Sequence, residues 1–174
     1  AIKPGTDLAV ALAMINVIIN NKKYNKSFID KYSDAAALID VKTQAALKSD
    51  DGRFLAWNAK SKKAEVIDEC DAPALEGGPF MVNGASVKPV MQLLKEATKA
   101  NTPEWAAKIS EVPAKDIKRI ALELAAKAPY AMIPTYKRDA AGPNYANSWR
   151  LRHAINIINT LLGSIDHEGA ILLF

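Results

Sequence analysis

From Leu8 to Ile19 the sequence is apolar on nearly every side of a helical wheel, with Leu8, Val10, Leu12, Met14, Ile15, Val17, Ile18 and Ile19. Such a helix has no face to give to solvent, so it is expected only where other elements cover it on more than one side. The run is too short for a bilayer span, which takes about 20 apolar residues, and it contains Asn16. Entry to this helix is Pro4-Gly5-Thr6-Asp7. That turn sets a Thr hydroxyl and an Asp carboxylate beside helix-start amides. Two uses are open to it: a plain N-cap, or a grip on a polar ligand.

Downstream the period of the apolar residues changes twice. Ser27 is expected to cap a short helix from Phe28 to Tyr32, with Phe28, Ile29 and Tyr32 facing inward. Ala37-Leu38-Ile39 reads as a strand, and Phe54 to Trp57 with Glu65 to Ile67 as a hairpin around a lysine-rich turn. Pro79 to Val82 and Ala85 to Val87 flank Asn83-Gly84, whose tolerance of positive φ predicts a type I′ hairpin. After Pro89 helical spacing returns through Val90, Leu93, Leu94 and Ala97. Thr102-Pro103-Glu104 is a capped start with Pro at the first helical position. Pro113 opens a further helix whose Ile117, Ile120, Ala121 and Leu124 share one face. Pro129 to Pro134 reads as a buried strand. Asn147 or Ser148 caps a last helix, and Gly163 terminates it. The expected fold class is α/β, a layered helix–sheet body with an inserted β-hairpin region. Its parts are 1–35 helical, 36–88 a β-rich insertion and 89–174 an α/β return.

Several classes of function are excluded. The net charge of +4 is mild and its lysines are scattered, which argues against nucleic acid. The single cysteine, Cys70, can form no internal disulfide, and no Cys/His cluster is present to hold zinc or iron–sulfur. No HExxH, P-loop, GxGxxG or GxSxG motif occurs. The acid pairs Asp50-Asp51 and Glu69 with Asp71 fall in surface loops, and His153 and His167 lack ligand spacing. The residues alone supply no self-sufficient active site.

Two candidate places remain. At Pro4, Gly5, Thr6 and Asp7, a carboxylate could accept paired N–H bonds from the ring NH and exocyclic amine of a guanine. At the other, Lys137, Arg138 and Arg150, with Arg152, crowd the start of the last helix, where cations oppose the macrodipole. An anion there would remove the conflict. Gly142 would allow close backbone approach, and Asn144 and Asn147 would supply neutral polar contacts. Solvated cations with packed stems are the alternative.

Pro4-Gly5-Thr6-Asp7 with Leu8, and Leu161-Leu162-Gly163-Ser164-Ile165-Asp166-His167-Glu168-Gly169, together resemble the molybdopterin oxidoreductase family. Asn25 to Tyr32, Thr102 to Ala106 with Val112-Pro113-Ala114, and Ala141 to Ser148 are similar to its segments in the same order. The last of these, with Ala74 to Gly77, resembles the thiosulfate/polysulfide reductase branch. The resemblance implies a parent catalytic subunit holding molybdenum or tungsten in two molybdopterin guanine dinucleotides (bis-molybdopterin guanine dinucleotide), with a 4Fe-4S cluster in an amino-terminal part. On this chain Thr6 and Asp7 would meet a guanine end, and Lys137 to Asn147 would lie near the other dinucleotide or the substrate path.

The family's cluster cysteines and metal-ligating residue lie upstream of the PGTD turn and have no counterpart here. The chain is thus expected to be an internal segment, inactive and free of metal and cofactor by itself. Its expected partners are the rest of the parent chain and iron–sulfur and membrane-anchor subunits, with no nucleic acid and no direct membrane insertion. The parent is expected to be periplasmic or membrane-associated. Ser164 replaces the family's usual Asn, and Ala170 its second Gly, which is expected to cost the end loop a positive-φ residue. A small independent α/β module binding a nucleotide or a protein, and a purely structural domain, are the alternatives.

Overall fold

The computed structural model describes residues 1–134 and 146–171. Its elements are α1 (Asp7–Asn20), α2 (Lys26–Tyr32), β1 (Leu38–Asp40), β2 (Leu55–Asn58), β3 (Lys63–Val66), β4 (Phe80–Val82), β5 (Ala85–Pro89), α3 (Val90–Ala97), α4 (Pro103–Ser110), α5 (Ala114–Ala126) and α6 (Ser148–Leu162). The fold is mixed helix and sheet, as the period changes predict. The chain divides into two units, Ala1–Lys26 with Thr98–Phe174, and Ser27–Ala97.

In the first unit α1 is the centre. It packs against α4, α5 and α6, the cover that its all-round apolar surface requires. Ile15, Ile18 and Ile19 are fully buried. Asn16 is buried too, and its side-chain N–H donates to the Thr98 carbonyl at 2.9 Å, so its polarity is satisfied inside. Thr102 caps α4 by accepting the Trp105 amide at 3.2 Å, with Pro103 at the first position. Gly163, at φ +68, ends α6. On α5 the expected stripe is narrower than predicted. Ile117 and Ala121 are buried, whereas Ile120 is 44% exposed, because it lies on the shoulder of the packed face.

Pro129 to Pro134 corrects a second expectation. Among the described residues this segment joins no strand ladder. Side chains satisfy its backbone instead. The Ile133 amide donates to Asn159 Oδ1 at 3.0 Å, Asn159 Nδ2 donates to the Ile133 carbonyl at 2.9 Å, and Ser164 Oγ donates to the Ala131 carbonyl at 2.6 Å. Asn159 and Ser164 are both fully buried. An extended backbone inside a protein needs partners for its amides and carbonyls, and α6 with its following turn supplies them here in place of a neighbouring strand.

In the loop after α6, Ala170 does not adopt a positive φ. The loop's left-handed positions are Asp166 at φ +59 and Gly169 at φ +77. A Cβ on Gly169 would lie 2.6 Å from the Tyr130 carbonyl oxygen. Gly169→Ala is therefore expected to lower stability by about 2–3 kcal/mol, from left-handed strain plus overpacking. Chemical denaturation measures it, and a cost below about 0.5 kcal/mol would contradict the close approach. Residues 172–174 of the apolar end lie outside the described residues.

In the second unit β1, β5 and β4 form an antiparallel sheet in that order, and β2 pairs with β3. Asn83 and Gly84, at φ +48 and +82, make the type I′ turn between β4 and β5. Asn58 Oδ1 holds the β2–β3 turn by accepting the Lys60 and Ser61 amides at 2.8 and 3.2 Å. Leu38, Val82 and Val87 form the core, with Trp57 stacked on Phe80 at 4.4 Å between ring centroids. α2 begins one residue before Ser27, so Ser27 lies within its first turn. Ile29 is buried as expected, but Tyr32 is 63% exposed.

Candidate functional site

Lys3 to Thr6 close a tight turn before α1, with the Thr6 amide donating to the Lys3 carbonyl at 3.2 Å. Pro4 sits at its second position and Gly5, at φ +80, at its third, the chemistry of a type II turn. Thr6 does not cap the helix with its side chain. Its hydroxyl donates to the same Lys3 carbonyl at 2.6 Å, so it braces the turn. Asp7 is thereby the first helical residue. Its half-buried carboxylate takes no hydrogen bond and no ion pair among the described residues.

α6 supplies a second uncapped start. The expected Asn147 side-chain cap does not form, and the first turn holds no acid. α1 and α6 run side by side in the same direction. Their starts meet at one notch, and at the other end the Asn25 amide, just past α1, donates to the Leu161 carbonyl near the end of α6 at 2.7 Å. The positive ends of two helix dipoles thus converge where the Asp7 carboxylate sits.

Gly5, Asp7, Leu8, Asn147, Ser148 and Leu151 line the notch. The notch is small, about 10 Å³, so it takes about one water or one amino group and not a ring. A planar base can meet the carboxylate from the mouth only.

Of the residues singled out in the sequence, Gly5, Asp7 and Asn147 are brought together here, and Pro4 and Thr6 shape the turn that presents them. Arg150 is not among the lining residues; its guanidinium lies 5.4 Å from the centroid of the Trp149 ring. Lys137, Arg138, Gly142 and Asn144 lie outside the described residues. Leu8 and Leu151 were legible only as core positions, yet they wall the notch. Three members of the acid pairs are held in ion pairs, Asp51 and Glu69 with Arg53 at 2.6 Å each and Asp71 with Lys60 at 2.8 Å. Hydrogen bonds from the Ser49 hydroxyl and then Arg53 hold the Asp51 carboxyl below its ordinary range. Burial pushes the Cys70 thiol upward, as befits an inert half-buried cysteine. No group of three or more metal-ligating side chains occurs among the described residues.

A mixed helix and sheet fold thus sets a carboxylate without a partner among the described residues at paired helix starts. No protein-family model matches the chain. It is 27% identical to a sulfite dehydrogenase of Allochromatium vinosum, over 97% of this chain and 21% of that protein. It is 28% identical to the molybdopterin-containing thiosulfate reductase PhsA of Salmonella typhimurium, over 98% of this chain and 15% of that protein. The perchlorate reductase of Dechloromonas aromatica, in its alpha chain, is 31% identical over 96% of this chain and 22% of its own length. Among solved structures, acetylene hydratase from Pelobacter acetylenicus shares the fold, with a TM-score of 0.54 and 21% identity over 94% of this chain and 14% of that one.

The homologues of this chain are catalytic subunits of molybdopterin-containing oxidoreductases, and it corresponds to one segment of them. It spans about a fifth, or less, of the length of the curated relatives it matches.

Proposed function

We propose that this chain is a wall of the cofactor site in a molybdenum–pterin oxidoreductase, and that Asp7 recognises the guanine end of a dinucleotide form of that cofactor. One observation carries the proposal. The Asp7 carboxylate has no partner among the described residues and sits at a notch where two uncapped helix starts converge. The donor chemistry fits. A guanine offers a ring N–H and an exocyclic amine side by side, and a carboxylate accepts both. The notch volume suits the amine.

The roles of this chain's residues follow. Pro4, Gly5 and Thr6 fix the turn so that Asp7 enters the helix with its carboxylate unspent. Asn147 and Ser148 bring the second helix start to the same point, and Leu8 and Leu151 exclude bulk water from one side. Lys137, Arg138, Gly142 and Asn144 are proposed to serve the cofactor's anionic portion. The metal, when bound with the rest of the parent chain, supplies two-electron chemistry. We place the parent among reductases of sulfur oxyanions or polysulfide, supported by the similarity to the thiosulfate reductase. Iron–sulfur and membrane-anchor subunits, and a periplasmic or membrane-associated site, belong to the same proposal. No helix among the described residues is long and apolar enough to cross a membrane.

Titration with GMP, AMP and IMP tests the guanine assignment without any redox assay. GMP is expected to bind best, with IMP weaker for want of the exocyclic amine. Asp7→Ala is expected to weaken GMP about tenfold or more, since a hydrogen bond to a charged group contributes about 1.5–3 kcal/mol. Asp7→Asn should lose the preference for GMP over IMP while keeping the helix start intact. Equal binding of GMP and AMP, or an Asp7→Ala variant that binds GMP unchanged, would sink the assignment.

A further inference from the structure

We propose that the outer face of the first two turns of α6, built from Trp149, Arg150, Arg152 and His153, is a docking surface for an acidic protein segment. The pairing of arginines in this chain motivates it. Arg53 holds Asp51 and Glu69, and Arg119 holds Asp116 and Glu123. Arg150 and Arg152 are exposed and have no ion pair among the described residues. No acid stands in the first turn of their own helix. Cations at a helix start are disfavoured by the dipole, so nothing within α6 compensates them.

Beside them is a large exposed aromatic surface. Trp149 is 58% exposed. The Arg150 guanidinium sits 5.4 Å from its ring centroid, and the His153 ring meets it edge-on at 5.5 Å and 90°. Trp149, Arg152 and His153 recur at helical spacing on one side of α6, while Ala154, Ile155 and Ile158 bury the other. Trp and Arg are the side chains that carry binding energy at protein interfaces, and the guanidinium fork matches a carboxylate. The two turns run for about 10 Å, the reach of about three extended residues, which favours a strip of chain over a single small anion. The notch is lined by other residues of the helix, Ser148 and Leu151, so this surface does not depend on the guanine assignment.

The probe is a hexaglutamate peptide, followed by NMR at the tryptophan indole N–H groups in the presence of saturating GMP. The indole of Trp149 is expected to shift, with binding weakened at least tenfold by Arg150→Glu/Arg152→Glu and by raising the salt to about 0.5 M. Trp149→Ala, checked for intact helix content and followed at the backbone amides of α6, should weaken it as well. A charge-matched Lys115→Glu/Lys118→Glu variant on α5 should retain it. Absence of any indole shift, an equal loss in the Lys115/Lys118 variant, or equally tight binding of inorganic phosphate would overturn the proposal. Displacement of the peptide by GMP would overturn it too, since that would make the surface part of the nucleotide site.

Discussion

Ile18→Ala is expected to lower the stability of the helical unit by about 4 kcal/mol. Ile18 is fully buried in α1, which lies against α4, α5 and α6. Truncating a buried isoleucine costs the transfer free energy of the lost carbons plus a cavity, about 2–5 kcal/mol in all. With cover on several sides, no single helix can move in to fill the space, which places the cost in the upper part of that range. The better helix propensity of Ala returns only about 0.4 kcal/mol. Ile120→Ala on α5 is the internal contrast, because that side chain is 44% exposed and its loss should cost about 1 kcal/mol or less. Urea denaturation followed by tryptophan fluorescence compares the two. Equal costs would show that α1 is not the centre of the core.

The second large effect is expected at Asn159. Its side-chain amide closes two hydrogen bonds on one residue, accepting the Ile133 N–H and donating to the Ile133 carbonyl. Asn159→Ala leaves both backbone groups without partners. At about 1–3 kcal/mol for each stranded group, the loss should be about 3 kcal/mol. Asn159→Leu fills the space better but strands the same groups, so shape alone should not rescue stability. Asn159→Asp places an oxygen against the Ile133 carbonyl and buries a carboxylate. Its stability should be lowest at neutral pH and recover in part as the pH falls and the buried acid takes up a proton. Hydrogen exchange gives the local readout: the Ile133 amide should lose protection in Asn159→Ala before the α1 amides do. Unchanged protection there would mean that the amide clamp does not hold the segment.

Much of this architecture was legible because it rests on local physics. The all-round apolar surface of α1, the Thr102-Pro103 start of α4, the Asn83-Gly84 turn and the Gly163 stop each depend on residues within a few positions. Pro129 to Pro134 departs from its expected strand for the opposite reason. Its composition is that of a buried strand, and a strand is defined by its partners. Those partners are Asn159 and Ser164, far along the chain. Spacing points Tyr32 and Ile120 inward, but spacing says which side chains share a face and not how wide the packed part of that face is. At the candidate site Asp7 was visible as an acid at a helix start. That Thr6 spends its hydroxyl on Lys3 and leaves the helix uncapped could not be read from a four-residue motif that serves equally well as a cap.

By itself, then, the sequence determined which stretches become helices and turns, and that α1 must be enclosed, since propensity and apolar periodicity act over short chain distances. Only the tertiary structure decided that α1 and α6 begin at the same point, that Asp7 faces a notch there with its carboxylate unspent among the described residues, and that side chains replace a strand around Ile133. Those outcomes depend on contacts between residues more than a hundred positions apart in one case and 26 in the other. The balance of burial and hydrogen bonding there is settled only when the elements pack.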